Sequence, residues 1–142
     1  MCKPASFVAT KDRVYWSRFS DEHQRIIGEY NLCEDGSRGP NIVRVEITPP
    51  DRDWCADLDD WEFRADQDVL PEWWDADTGE RRARAALQEW AAAKLVVSGN
   101  HDVMEAQLYA YGSASVVAWN SASVRAYGSA SVVAQNSASV EA

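Results

Sequence analysis

Long apolar runs are missing from this chain of 142 residues. No stretch approaches the ~18 consecutive apolar residues of a membrane span, and the first residues carry Lys3, Lys11, Asp12, Arg13 and Arg18 where a signal peptide would be greasy. The sequence therefore predicts a cytoplasmic protein with no membrane contact. Cysteine is scarce and odd in number: Cys2, Cys33 and Cys55 form no Cys-x-x-Cys pair and suit a reducing compartment better than a disulfide scaffold. The only histidines, His23 and His101, have no zinc-type spacing to those cysteines. Neither a Walker loop nor GxGxxG occurs, so no metal centre and no cofactor is expected. Basic residues are the minority, 14 Lys or Arg against 23 Asp or Glu, with no basic stripe. Direct nucleic-acid binding is disfavoured on that ground.

The acidic excess is concentrated. Between Asp51 and Asp77 lie eleven carboxylates against Arg52 and Arg64, which accounts for the whole net charge of −9. Asp57, Asp59 and Asp60 are its densest point, but the residues after them lack the glycine and the closing glutamate of an EF-hand loop, so a solvated acidic surface is the expected reading. The same stretch holds Trp54, Trp61, Trp73 and Trp74. Trp61 alternates inward with Phe63 and reads as core, as does Trp90 on a helical stripe. Trp73 and Trp74 are adjacent and cannot both face inward from a regular strand, so one of them is a candidate partner contact, together with Asp57, Asp59 and Asp60.

Two short strands, 5–10 and 13–17, flank Lys11-Asp12 as a hairpin. Ser20 is placed to cap a helix over 21–30 with Ile26, Ile27 and Tyr30 on one side. Residues 42–48 alternate Val43, Val45 and Ile47 with Arg44 and Glu46, a half-buried strand stopped by Pro49-Pro50, and 61–66 alternate likewise. Asp77 and Glu80 resemble a capping box opening a helix to about Leu95 with Leu87, Trp90 and Ala91 on its apolar stripe. Residues 1–102 are thus expected to form a small α+β domain.

From Tyr111 the chain becomes periodic: YGSASVVA, WNSASVRA, YGSASVVA, QNSASVEA, with 103–110 as a degenerate first repeat. Every even position from 106 to 142 is Ala, Val, Leu, Gly or Asn, while the odd ones are mostly Ser, Tyr, Trp, Gln, Arg or Glu, which is the period of a strand. An antiparallel meander would oppose Val116 to Ser123 and mix the two faces. Stacking residues sixteen apart puts Val116 on Val132, Ala114 on Ala130, Gly112 on Gly128, Asn120 on Asn136 and Tyr111 on Tyr127, each class on its own. Residues 103–142 are therefore expected to form a short parallel β-solenoid with two strands and about 16 residues per coil, Gly and Asn marking its corners. Its last strand would present a bare edge, a route to homo-oligomers, although Arg125, Glu141 and short strands are also the usual protection of such an edge.

With MCKPASFVATKDRVYW, VRVEITPP, WEFRADQDVLPEWW and the AYGSASVVA octads in this order, the chain resembles, over its whole length, a family of bacteriophage and bacterial proteins in which a Met-Cys-Lys domain precedes a variable number of octads. The resemblance implies an accessory protein and assigns no activity to any residue. Cys2 is the one candidate nucleophile: removal of Met1 would leave a terminal cysteine whose amine can serve as base, but Lys3-Pro4 comes next and no oxyanion donor is identifiable, so a small residue at the start of a strand is the plainer reading. Three functions are open, in this order: a non-enzymatic binding or self-assembly protein, an enzyme acting through Cys2, and an acidic inhibitor that offers 51–77 to a host nucleic-acid-binding protein in place of phosphates.

Overall fold

Strands at the amino end pair because they are short, apolar and joined by a turn. In the computed structural model, which describes residues 3–141, β1 (Ser6–Ala9) runs antiparallel to β2 (Val14–Tyr15), and Thr10 closes the hairpin by accepting from the Arg13 amide. After α1 (His23–Glu29) and a small hairpin of β3 (Asp35–Gly36) and β4 (Gly39–Pro40), the alternating segment forms β5 (Val43–Thr48) and then β6 (Glu62–Ala65). These give one antiparallel sheet in the order β2-β1-β5-β6. Phe7 opposite Val45 and Ile47 opposite Phe63 share one face; Ser6, Glu46 and Arg64 share the other, where Val8 packs with Ile26 and Ile27 of α1.

Two caps differ from expectation. Ser20 accepts from the Glu22 amide ahead of α1, which starts two residues later than its sequence suggests. The second helix, α2 (Ala76–Lys94), is opened by Asp75: its carboxylate accepts from both the hydroxyl (2.6 Å) and the amide (3.1 Å) of Thr78, and those bonds hold it below the usual carboxylate range. Gly79 in the first turn lies under the Trp74 indole, which a Cβ there would strike.

The chain divides into two compact units, Met1–Glu89 and Trp90–Ala142. The second is built from parallel strands: β7 (Leu95–Val96), β8 (Asn100–Val103), β9 (Gln107–Ala110), β10 (Ser115–Ala118), β11 (Ser123–Ala126), β12 (Ser131–Ala134) and β13 (Ser139–Glu141). They alternate between two sheets ordered β8-β10-β12 and β7-β9-β11-β13. Ser115 pairs with Ser131 and Ser123 with Ser139, the sixteen-residue register, whereas Asn100 pairs with Ser115 and Leu95 with Tyr109, so the first turns are shorter. Val103, Leu108, Ala110, Ala114, Val116, Ala118, Ala122 and Val124 form one buried cluster. Gly112, Asn120, Gly128 and Asn136 all adopt left-handed backbone between strands. Asn136 donates to the Asn120 side chain at 3.2 Å, and Ser129 and Ser137 donate to the carbonyls of Gly112 and Asn120 (2.8 and 2.9 Å).

Gly112 and Gly128 have similar dihedrals and different surroundings, and this separates conformational strain from contact. A Cβ at Gly112 would come 2.7 Å from the Val97 carbonyl oxygen, while at Gly128 the nearest atom is 3.8 Å away. Gly128→Ala is expected to cost about 1 kcal/mol from the left-handed φ alone, and Gly112→Ala roughly 2–3 kcal/mol because backbone must also move. Urea unfolding of the two variants decides it; equal losses would mean that the Val97 contact is unimportant.

Candidate functional site

Glu46 is where the sequence pattern and the structure part. In an alternating strand it belongs with Arg44 on the wet side, yet it is 2% exposed, because α1 and the segment at Lys3 cover that face of the sheet. A buried carboxylate needs partners. One oxygen accepts from the Lys3 amide (3.4 Å), the other from Arg64 Nη2 (3.4 Å), and the same Arg64 nitrogen donates to Asp66 at 2.8 Å. Asp66 is fixed at the end of β6 by its amide, which donates to the Arg44 carbonyl. From α1, the buried His23 places Nε2 3.0 Å from the Val45 carbonyl oxygen. A ring nitrogen of His23 and carboxylate oxygens of Glu46 and Asp66 all fall within 4.8 Å of one another.

No local motif announces this cluster, since its members come from a helix and two strands far apart in sequence. One signal is present: His23 stands three, four and seven residues before Ile26, Ile27 and Tyr30, on the same helical stripe.

Of the residues singled out from sequence, Cys2 lies outside the described residues. Cys33 and Cys55 are exposed, and Cys33 donates to the Asp35 carbonyl. Asp57, Asp59 and Asp60 are exposed; Asp57 caps a 3-10 turn over Leu58–Asp60 by accepting from the Asp59 amide. Trp73 and Trp74 touch edge to face (6.1 Å), and Trp74 stacks on Phe63 at 6.5 Å with rings nearly parallel, so both are half-buried and neither is fully exposed. Trp61 and Trp90 are buried, as their patterns suggest, and Trp54, for which the sequence offers no such pattern, is buried edge to face against Trp61.

An open cleft of about 380 Å³ on the first unit is lined by Arg13, Tyr15, Trp16, Tyr30, Arg82 and Glu89, among others. Arg13 lies over the Tyr15 ring, Tyr15 packs on Tyr30, and Tyr30 donates to the Trp16 carbonyl; burial and the neighbouring Glu29 push its phenol up, so it stays neutral. Among the described residues no helix is long and apolar enough to cross a membrane. Comparison with protein-family models, with curated proteins and with solved structures finds no match for the chain.

Proposed function

We propose that this protein is a non-enzymatic self-assembly module, its second unit a two-sided parallel β-solenoid whose carboxyl-terminal edge pairs with a second copy of the chain. The reading is supported above all by Val140. Its even number makes it an interior position, as for Val124 beside it, yet it is 43% exposed because among the described residues nothing lies over β13. On the other sheet, β12 likewise has no partner on its outer side among the described residues, and its interior Val132 is only partly buried. Each such edge carries unpaired backbone donors and acceptors next to uncovered valine methyls, a surface that another strand of the same composition fits. Within the chain, like already stacks on like, Val116 on Val132 and Asn120 with Asn136, and opposite charges meet where Arg125 faces Glu141 at 3.3 Å. A second copy supplies the same serine, valine and asparagine groups. The accessory role implied by the phage and bacterial resemblance agrees with such a module.

Sedimentation equilibrium at micromolar concentration tests it. The wild type is expected to associate, and Val140→Lys, whose side chain reaches solvent from that open position, is expected to be monomeric with an unchanged far-ultraviolet spectrum. A monomeric wild type, or association that Val140→Lys leaves intact, removes the proposal.

A further inference from the structure

The cluster on the first unit has the composition of a metal site: one imidazole and two carboxylates, drawn together from α1, β5 and the end of β6. Three features beyond proximity bear on what it would hold. His23 is buried with its Nε2 directed at the Val45 carbonyl, and a ring fixed through one nitrogen by a backbone carbonyl is the arrangement that orients metal-ligating histidines. Glu46 is almost wholly buried on a strand position whose pattern calls for exposure, and its partners among the described residues are one amide and one long contact to Arg64. Arg64 itself is 61% exposed at its side chain, so the cation now facing both carboxylates is held weakly and can swing into water.

We infer that His23, Glu46 and Asp66 form an open three-donor site for a divalent first-row transition ion, with Arg64 as the displaceable cation that competes for the same two carboxylates. Mixed nitrogen and oxygen donors select an ion of the Zn²⁺ or Co²⁺ type over Mg²⁺, which takes oxygen donors and keeps its waters. Such ions hold donors ~2.0–2.2 Å away, so donor atoms must stand roughly 3.3 Å apart. The present spread, within 4.8 Å, must close by up to about 1.5 Å to reach that separation, and Asp66, the solvent-accessible member with 41% of its side chain exposed, is the one free to move. Three protein donors leave the remaining coordination positions to water.

Co²⁺ titrated into the full chain and followed by its visible absorption is the direct test, because coordination by Cys33 or Cys55 would add a thiolate charge-transfer band in the near ultraviolet. One Co²⁺ per chain without that band is expected, resisting an equal concentration of Mg²⁺. Asp66→Asn and His23→Ala should each weaken binding at least ~10-fold. Arg64→Gln should tighten it several-fold, an effect opposite to that of a purely structural ion pair. Should His23→Ala fail to fold, the accessible Asp66 and Arg64 still decide. Binding unchanged in Asp66→Asn, binding weakened in Arg64→Gln, a thiolate band, or displacement by equimolar Mg²⁺ each overturns the assignment.

Discussion

Removing Ser121 alone is expected to unfold the strands after it, whereas removing the sixteen residues 111–126 is expected to leave a folded chain. Ser121 is exposed in the corner between β10 and β11. Its deletion nonetheless shifts every later residue by one, and in a strand one residue is the difference between the two faces. Ala122 and Val124 would turn outward, and Ser123 and Arg125 inward. Exposing a buried valine costs about 2 kcal/mol, and a guanidinium in an alanine and valine interior costs several more. The larger deletion removes β10 and β11 together and joins Ala110 to Tyr127, so that β12, identical in sequence to β10, meets β8, and β13 meets β9. Parity and corners survive. Hydrogen exchange separates the cases: protected amides at 131–134 and 139–141 in the sixteen-residue deletion, and none from 122 onward without Ser121. Retained protection in the Ser121 deletion would mean that registration of like residues does not hold these strands together.

The repeat unit is legible in the sequence because its physics is local. Each octad carries its own alternation and its own left-handed corner residue, so the pattern alone places Gly112 and Asn120 at turns, and Val116 and Val124 inside. What fails to show is whatever a distant element decides. Tyr109 and Gln107 are odd positions and should be wet, but Trp90 lies 5.4 Å from the Tyr109 ring and Lys94 donates to Gln107, so the outer side of β9 is buried too. The shortened register of β7 and β8 has no trace in a sequence that departs from the octad there. Likewise, the alternation of β5 reports that one face is apolar and is silent about α1 covering the other; hence Glu46 reads as exposed, and its meeting with His23 and Asp66 is invisible. The start of α2 is displaced by two residues because Asp77 with Glu80 imitates a capping box, while Asp75 with Thr78 has the same spacing and makes the bonds. Trp73 and Trp74 defeat the one-in, one-out expectation because they do not lie on a strand: Trp74 stacks on Phe63 above Gly79, and Trp73 leans on Trp74.

Trp90→Ala is expected to be the most costly single substitution in the second unit. The indole is fully buried, packs against the fully buried Tyr109, and presents its ring to the Lys94 ammonium 5.6 Å from the centroid. Lys94 is itself almost wholly buried, with Nζ donating to Gln107 Oε1 at 2.8 Å. Truncating a buried tryptophan costs about 3–5 kcal/mol through lost transfer energy and the cavity left behind. Here the loss is larger still, since the ring face toward the ammonium goes with it, a contact worth roughly 1–2 kcal/mol when desolvated. Trp90→Phe keeps an aromatic face in place and should cost clearly less. Urea unfolding of both variants gives the comparison, with the far-ultraviolet spectrum reporting whether the parallel strands survive. If Trp90→Ala and Trp90→Phe lose the same stability, the aromatic face that phenylalanine keeps, and with it the cation contact, contributes nothing; if neither loses more than about 1 kcal/mol, burial of β9 by this helical turn is not what anchors the first strands of the stack.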